Sequence, residues 1–348
     1  MITTSQKLPP QSVTGRLRGA VRSSGIQELI ALMIMLALIV LVMANASPLF
    51  LTPRNITNML MDSTTVGIIA VFATMLMISG GLDLSVGSTA ALCGVIIGAS
   101  QASTGLWEGV ALALVVGAVV GLINGFLVTY VGINPLITTL GMLSMARGLA
   151  FVLANGLTLP VFDLTGEQTE LYAAFTNLSE GRLFDIPYPT LIMLALFIVG
   201  LIVLRYTTYG RAMYVIGDNA EAAFLAGLPV RRYRMIAYTL SGLSAALAAV
   251  LLTSRLYAAD PRAAPNVELT VITAVVLGGT SLAGGQGSLF GTFLGVLILS
   301  TLLNGMKLQS VSTELQNIAQ GLVLLLAVGI DQVRQGKIHL PFLRGRRK

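Results

Sequence analysis

Ser79-Gly80-Gly81-Leu82-Asp83-Leu84-Ser85-Val86-Gly87-Ser88 is the stretch that decides the fold, and it lies between two long apolar segments. It places a carboxylate and several glycines where a membrane-spanning helix normally carries neither. A charged side chain at the bilayer centre costs about 2.5–3.5 kcal/mol on insertion scales, so it usually faces protein or a water-filled cavity. Irregular backbone at that depth is tolerated in the same places. The stretch therefore predicts a membrane protein with a helix break or re-entrant segment beside a transport path.

The composition supports a membrane protein, since 55% of the 348 residues are hydrophobic and only 10% are charged. Soluble domains carry about 25% charged residues. The 37 glycines fit closely packed membrane helices, in which small residues let backbones approach. A single cysteine, Cys93, and a single histidine, His339, argue against a disulfide framework and against a Cys/His metal site. We predict that Cys93 is a small apolar packing residue.

Ten segments are long or apolar enough to be membrane spans, given that a crossing helix needs about 20 mostly apolar residues. They are 29–46, 60–79, 84–100, 110–131, 136–153, 190–204, 235–253, 269–277, 289–303 and 315–330. The eighth is too short to cross alone and is interpreted as a half-helix. The predicted fold is an all-α polytopic membrane protein with about ten spans and glycine-rich breaks near 80–87 and 278–288. Eight crossings with re-entrant short segments remain an alternative.

Basic residues predict the orientation, because cytoplasmic segments carry an excess of Lys and Arg. Fifteen of the 21 Lys and Arg residues lie in 7–22, 205–234 and 334–348. The loop 155–188 is acidic instead, with five carboxylates against Arg182. Ten crossings from a cytoplasmic N-terminus place the basic segments inside and the acidic loop outside, so charge and parity agree. Basic charge clustered beside apolar spans is not a nucleic-acid signal.

The domain boundaries follow from these patterns. Residues 1–28 form a basic cytoplasmic tail, 29–333 a transmembrane domain, and 334–348 a second basic cytoplasmic tail. Within the domain, 155–188 is predicted to be a periplasmic loop with a short helix or two over the outer mouth. The loop 205–234 is predicted to be cytoplasmic and to display a partner-docking helix.

The docking helix is read from the end signals in the large inner loop. Asp218 or Asn219 is a good N-cap, Glu221 follows in the first turn, and Gly227 and Pro229 end the helix. The result is one short helix of small residues, which suits insertion into a cleft of another protein. The alternative is a plain connecting helix.

A second glycine-rich break reads Leu277-Gly278-Gly279-Thr280-Ser281-Leu282-Ala283-Gly284-Gly285-Gln286-Gly287-Ser288. It lacks the Lys followed by Ser or Thr of a phosphate-binding loop, and that motif occurs nowhere in the chain, so the chain does not hydrolyse a nucleotide by that route. Both breaks end in Gly-Ser, a short match that suggests an internal repeat.

Polar residues within the spans are few: Asp62, Asp83, Asn124, Thr138, Thr139, Arg147, Thr273 and Asn304. This scarcity argues against a self-powered carrier, which needs a denser set of buried carboxylates. Asp83 is either near the path or a helix cap paired with backbone amides, and these roles are compatible. Arg147 either snorkels or pairs with a carboxylate. We expect no catalytic constellation, no metal site and no cofactor.

Five stretches closely resemble the permease subunits of bacterial monosaccharide ABC importers of the ribose, xylose, arabinose and galactose type. They are Gly81-Leu82-Asp83-Leu84-Ser85-Val86-Gly87-Ser88, Ala274-Val275-Val276-Leu277-Gly278-Gly279-Thr280-Ser281-Leu282-Ala283-Gly284-Gly285, Tyr209-Gly210-Arg211, Tyr238-Thr239-Leu240-Ser241-Gly242-Leu243 and Asn304-Gly305. The resemblance runs from about residue 28 to 333. Glu221-Ala222-Ala223-Phe224-Leu225-Ala226-Gly227 resembles the EAA-x-x-x-G coupling motif of import permeases.

The resemblance implies a subunit of the bacterial inner membrane with both termini cytoplasmic. It implies as partners a second permease subunit, identical or a paralogue, two ATPase subunits or one tandem ATPase, and a periplasmic sugar-binding protein. The candidate coupling residues are Asp218, Glu221, Ala222, Ala223 and Gly227. The candidate path or gating residues are Asp83, Ser85, Gly87, Asn124, Thr138, Gly278, Gly279 and Asn304.

Three other functions are alternatives to a monosaccharide importer. The first is the same machinery for another small polar solute, such as a polyol, nucleoside, amino acid or signalling sugar. The second is a secondary carrier that works alone. The third is a membrane enzyme or scaffold, which the missing catalytic groups disfavour.

Overall fold

The structure, a computed structural model, describes residues 13–101, 104–162 and 169–334. Residues 1–12 of the predicted N-terminal tail and 335–348 of the predicted C-terminal tail, with His339, therefore lie outside the described residues, as do Asp163 and Glu167 of the predicted outer loop. Helix begins at Val13, so the described part of the predicted N-terminal tail is helical and continuous with the first span.

The described residues form thirteen α-helices, one π-helical turn and four two-residue strands. The helices are α1 (Val13–Ala46), α2 (Pro53–Ile78), α3 (Val86–Ser100), α4 (Leu106–Phe126), α5 (Pro135–Leu153), α6 (Thr169–Glu180), α7 (Tyr188–Tyr206), α8 (Thr208–Asp218), α9 (Ala220–Leu225), α10 (Val230–Leu256), α11 (Val267–Leu277), α12 (Leu289–Leu308) and α13 (Thr313–Arg334). The π-helical turn Leu127–Val131 extends α4. The strands are β1 (Leu159–Pro160), β2 (Arg182–Leu183), β3 (Ile186–Pro187) and β4 (Ala258–Ala259), and they form two small antiparallel pairs, β1 with β4 and β2 with β3.

The all-α polytopic fold is confirmed by the lengths and apolar character of these helices. Eight are long and apolar enough to cross a bilayer: Gln27–Ala46, Pro53–Ile78, Leu106–Val131, Pro135–Leu153, Tyr188–Tyr206, Val230–Leu256, Leu289–Leu308 and Thr313–Val333. The other two predicted spans are the shorter apolar helices α3 and α11, of 15 and 11 residues. Each adjoins one of the glycine-rich breaks, so the short eighth span is as predicted.

The two ends of the bundle differ in what covers them. At one end, named here the α8 face, the end of α8 packs at Gly217 against Ile78, the last residue of α2, whose carbonyl accepts from the Gly285 amide at 2.8 Å. At the other end, the α6 face, Ser254 of α10 donates to the Phe175 carbonyl of α6 at 2.7 Å. The N-terminal end of α2 and the C-terminal end of α12 also lie on the α6 face, joined through Asn55 and Asn304.

The centre of the bundle is built on close packing of α4 against α10. Small residues recur at every fourth position of α4, namely Ala113, Gly117, Gly121 and Gly125, and so form one stripe. A Cβ on Gly121 would lie 2.3 Å from the Tyr238 carbonyl oxygen, and one on Gly242 would lie 2.1 Å from the Gly117 carbonyl oxygen. The backbones of the two helices therefore touch directly, which larger residues would prevent.

Three helices begin at capping or proline residues that are typical of helix starts. Thr52 accepts from the Asn55 amide with Pro53 at the first position of α2, and Asn134 accepts from the Leu136 amide at the start of α5. Pro187 precedes the first residue of α7. The helices α2 and α10 begin earlier than the predicted spans, at Pro53 and Val230, because their polar first turns extend beyond the apolar stretch that defined each span.

The two large loops differ in part from the predictions. The inner loop contains two helices, α8 and α9, rather than one, because Asn219 in an extended conformation interrupts the helix and caps α9. In its described residues, the predicted outer loop contains the helix α6 and the strand pair β2–β3, so a short helix is present there. Cys93 is fully buried with its Sγ 3.2 Å from the Ala113 carbonyl, as expected of a packing residue.

Candidate functional site

The first break, residues 79–85, is held together around the carboxylate of Asp83. The Ser85 amide and hydroxyl donate to Asp83 Oδ1 at 2.9 and 2.6 Å, and the Ser241 hydroxyl of α10 donates to Oδ2 at 2.8 Å. Asn124 Nδ2 of α4 donates to the Ser85 hydroxyl oxygen at 2.9 Å and lies 3.5 Å from Asp83 Oδ1. The carboxylate is thus a local cap that also joins the break to α4 and α10.

The structure brings three predicted path residues, Asp83, Ser85 and Asn124, into this one network. All three are buried, with Asp83 8% exposed. Ser241 completes the network and was not among the predicted site residues, although it lies inside a stretch that carried the family resemblance. A serine in an apolar helix usually bonds to its own helix, so no sequence signal marked it.

Gly87 lies at the start of α3 beside the start of α11. A Cβ on Gly87 would lie 2.3 Å from Glu268 Oε2 and 3.1 Å from the Ala264 carbonyl oxygen. The first turns of the two short helices therefore meet inside the bundle. The prediction missed Glu268 because the eighth span was started one residue later.

Arg147 of α5 holds the chain that leads into α11. Its Nη1 donates to the Pro261 and Ala263 carbonyls at 2.8 and 2.9 Å. Of the two alternatives left by the sequence, snorkelling or carboxylate pairing, neither describes these contacts. Among the described residues, Arg147 binds backbone carbonyls, and no salt bridge with Glu268 is formed.

Several buried polar atoms in this region have no hydrogen-bond partner among the described residues: Thr89 Oγ1, Asn124 Oδ1, Thr138 Oγ1 and Glu268 Oε2. Thr138 lies on α5 and is not among the residues that contact Asp83 through a hydrogen bond. Hydroxyl and amide groups of this kind suit a polyhydroxylated or otherwise polar solute, because each can accept or donate a hydrogen bond.

The second break, residues 278–288, lies at the α8 face against the first. Gly278 packs on α12, where its added Cβ would lie 2.5 Å from the Gly291 backbone, and Gly279 has a positive φ of 87°. The Gly285 amide donates to the Ile78 carbonyl at the end of α2. The two glycine-rich breaks, about 200 residues apart in the sequence, are therefore direct neighbours.

Asn304 lies away from both breaks, on the α6 face. Its side-chain amide forms a reciprocal pair with Asn55, with distances of 2.9 and 3.0 Å. Nearby, Asp62 binds Arg255 at 2.7 Å and Lys307 at 3.0 Å. These contacts join α2, α10 and α12 at this face.

The predicted coupling residues form a small projection on the α8 face. Asn219 accepts from the Ala222 amide, Glu221 lies in the first turn of α9, and Asp218 ends α8. Glu221, Ala222 and Gly227 are exposed, whereas Ala223 is buried against Ala212, Ile216 and Val230.

The tip of this projection also exposes two large apolar side chains, Phe224 at 66% and Leu225 at 79%. The sequence prediction passed over them because they occupy the variable positions of the motif. Exposed apolar side chains that lie together are typical of an interaction surface. Among the described residues, no group of three or more His, Cys, Asp or Glu side chains is placed to hold a metal ion.

Known proteins that are similar to this chain are transport permeases. A family profile described as "Branched-chain amino acid transport system / permease component" matches residues 55–328. The ribose import permease protein RbsC of Bacillus subtilis (strain 168) is 38% identical over 312 residues, covering 88% of this chain and 94% of that protein. No solved structure matches the chain.

Two further relatives have other substrates in their names. The L-arabinose ABC transporter permease protein AraH of Azospirillum brasilense is 39% identical over 83% of both chains. The autoinducer 2 import system permease protein LsrD of Photorhabdus temperata is 33% identical over 86% of this chain and 89% of its own.

Proposed function

The chain belongs to the family of permease components described as "Branched-chain amino acid transport system / permease component", and from that premise we propose that it forms the translocation path for a monosaccharide. It is a transmembrane subunit of an ABC importer. The names of the ribose and L-arabinose permeases, at 38% and 39% identity, support a monosaccharide as the solute. A periplasmic binding protein delivers the sugar, and separate ATPase subunits supply the energy, so the chain itself is not catalytic.

A second candidate is the same machinery for another small polar solute. Two observations favour keeping it: the family description names branched-chain amino acids, and one relative is an autoinducer 2 permease. Co-purification of the binding protein with the tagged complex, followed by identification of its ligand, discriminates between the two candidates. A sugar ligand supports the first candidate, and an amino acid or signalling molecule supports the second.

The observation that carries the coupling role is the shape of the α9 projection. Ala223 anchors it to α8 and to the first turn of α10, while Glu221, Phe224 and Leu225 remain free to contact a partner. The projection docks in a cleft of the ATPase, and ATP-driven closure of the ATPases displaces it. The breaks around Asp83 and Gly278–Gly279 then switch the path between outward and inward access.

The test of coupling uses Gly227, which ends α9 with a φ of +85° and has open space around its Cβ position. A Gly227→Glu substitution strains this turn by about 1–2 kcal/mol and adds a charge to the docking surface. We expect ATP-driven uptake to fall at least tenfold in proteoliposomes that contain the complete complex, while membrane insertion stays normal.

Gly132 provides a matched control, because its φ is +86° and its Cβ position is also open. It follows the π-helical turn rather than α9. Near-normal uptake by Gly227→Glu, or an equal loss in Gly132→Glu, would count against the coupling role.

The second permease subunit packs on the exposed side of α5. Gly141, Ser144 and Gly148 lie on this side, and a Cβ on either glycine would meet no atom within 4 Å. Small residues at an open helix face support close approach of another helix. The subunit resides in the bacterial inner membrane with both termini and the α8 face in the cytoplasm. Whether the partner is identical follows from the composition of the purified complex.

A carrier that works alone is the rival from a different class. Proteoliposomes that contain only this chain decide between the two, since an importer subunit without its ATPases does not accumulate solute. Accumulation in such vesicles, driven by a proton or sodium gradient, would replace the importer proposal.

A further inference from the structure

One face of α10 carries three polar side chains that all reach the first break. They are Arg234, Tyr238 and Ser241, and their spacing of four and three residues places them on the same side of the helix. Tyr238 is among the largest fully buried side chains of the described residues. Their contacts follow the break in order, from its start to the Asp83 carboxylate.

Each of the three binds a different point of the break. Arg234 Nε donates to the Ser79 carbonyl at 2.9 Å. The Tyr238 hydroxyl accepts from the Leu82 amide and donates to the Leu82 carbonyl, both at 3.3 Å, and the Ser241 hydroxyl donates to Asp83 at 2.8 Å. Non-helical backbone inside a membrane protein has to find its hydrogen-bond partners within the protein. This face of α10 supplies partners for the Ser79 carbonyl and for the amide and carbonyl of Leu82.

The α9 projection packs against the start of α10, the helix that holds the first break. Ala223 of α9 packs with Val230, the first residue of α10, and Tyr209 of α8 donates to the Tyr233 carbonyl of α10 at 3.4 Å. The base of α10 and the α8–α9 pair are therefore packed as one unit. Arg234 lies one turn from that base. The side chains of Arg234, Tyr238 and Ser241, named here the clamp, therefore begin next to the α9 projection.

The end of α8 also touches the second break and Ile78, the residue before the first break. A Cβ on Gly217 would lie 1.8 Å from the Ile78 carbonyl oxygen and 2.4 Å from the Gly285 amide nitrogen. The Tyr214 hydroxyl donates to the Gly287 carbonyl at 3.1 Å. The unit that carries the projection thus contacts the second break and the residue that precedes the first break.

We propose that Arg234, Tyr238 and Ser241 are positioning residues that fasten the first break to α10. A displacement of α9 then moves α10 and residues 79–83 as one body, and the Asp83 network moves with them. The proposal rests on the proposed coupling role of α9, and it adds the residues through which the movement reaches the break.

The test uses the complete importer complex with Tyr238→Phe and Ser241→Ala, each of which removes a single hydroxyl. Hydrogen–deuterium exchange of peptides covering 80–85 reports whether the break is still held, because an amide without its partner exchanges faster. We expect at least tenfold faster exchange in Tyr238→Phe, where the Leu82 amide loses its acceptor. We also expect uptake to fall about tenfold while ATP hydrolysis by the complex continues.

Two matched controls lie outside the clamp. Ser244→Ala removes a hydroxyl on the same helix that donates to the Ser241 carbonyl of its own helix at 2.6 Å. Tyr206→Phe removes a hydroxyl from a side chain that is 68% exposed at the end of α7. Both are expected to exchange and transport like the unsubstituted chain.

Unchanged exchange over 80–85 in both clamp variants, or an equal increase in Ser244→Ala, overturns the proposal. Failure of both clamp variants to assemble into the complex also overturns it, because the side chains then serve folding rather than coupling. A lack of ATP-driven uptake by the unsubstituted complex would contradict the proposed function instead. The exchange result would still decide whether α10 holds the break.

Discussion

Asp62 illustrates how single charged residues are accommodated in this chain. It lies two turns into α2 and binds both Arg255 at the end of α10 and Lys307 at the end of α12. Asp62 and Arg255 are each 33% exposed at the side chain, and Lys307 is 54% exposed, so solvent weakens both pairs. Partly exposed ion pairs contribute about 0.2–1 kcal/mol each. The main role of Asp62, Arg255 and Lys307 is to join α2, α10 and α12 at the α6 face.

We predict that Asp62→Asn lowers the midpoint of thermal unfolding by roughly 2 °C, because it leaves two cations adjacent and removes about 1 kcal/mol of pairing. The measurement is the melting of the purified chain in detergent. Combining Asp62→Asn with Lys307→Gln is expected to cost less than the sum of the single changes, since the two residues share one contact. If the effects of the two substitutions were fully additive, the Asp62–Lys307 ion pair would contribute no interaction energy.

A control for this measurement is Asp185→Asn. Asp185 lies in the turn between β2 and β3 with a φ of +62°, which Asn also tolerates, and it takes part in none of the ion pairs of the described residues. Its melting midpoint is expected to stay unchanged.

Sequence reasoning found the polar residues at this scale when they stood out against apolar neighbours. Asp83, Ser85 and Asn124 were selected for that reason, and the structure joins them in one network. It missed Ser241, since a hydroxyl in an apolar helix is common. It named Asn304 as a candidate path or gating residue, and the structure pairs Asn304 with Asn55 on the α6 face. Partners that are 160 to 250 residues away leave no local signal.

At the scale of the element, helix existence and helix ends were predictable while helix contacts were not. Thr52-Pro53 and Asn134-Pro135 start helices because each pairs a capping side chain with a proline that needs no amide partner. The separation of α8 from α9 was missed because Asn219 was read as the start of one helix and not also as the end of another. The stripe of small residues on α4 is visible in the sequence, but the sequence does not show that α10 is the helix that packs against it.

We predict that Gly121→Leu strongly destabilises the chain, because even a Cβ there would lie 2.3 Å from a carbonyl oxygen of α10. Overpacking of this kind costs about 1–3 kcal/mol and more where the backbone has to separate. The measurement is the yield and melting midpoint of the purified chain. Gly321→Leu in α13 is the control, since no atom lies within 4 Å of its Cβ position. Equal stability of the two variants would contradict the α4–α10 contact.

At the scale of the whole molecule, the helices are joined by backbone contacts at one end of the bundle and by side-chain pairs at the other. Backbone contacts between Ile78, Gly217 and Gly285 join the breaks to α8 at one face. Side-chain pairs such as Asn55–Asn304 join α2 to α12 at the other. Hydropathy predicted the ten apolar segments and their order because it depends on each segment alone, and eight of them are long enough to cross a bilayer. The inner and outer assignment of the two faces rests on basic charge and stays a prediction.

We predict that the α6 face is periplasmic and the α8 face is cytoplasmic. In a Cys93→Ala background, Phe184→Cys, at a site 90% exposed, is expected to react with a membrane-impermeant maleimide in intact spheroplasts. Leu225→Cys, at a site 79% exposed on α9, is expected to react only after permeabilisation. The background protein without an added cysteine is the control. The reverse labelling pattern would invert the orientation and remove the projection from the side where ATP is available.

The shortness of α11 has a consequence for how the chain is made. Eleven residues of helix rise only about 16 Å, roughly half of a bilayer's hydrocarbon core. The insertion machinery therefore cannot release α11 into lipid as a stable segment while it is being synthesised. Its buried positions, Val271 to Val276, are covered only when α2, α12 and α13 are present. Completion of this part of the protein must accordingly wait for the last segment to leave the ribosome.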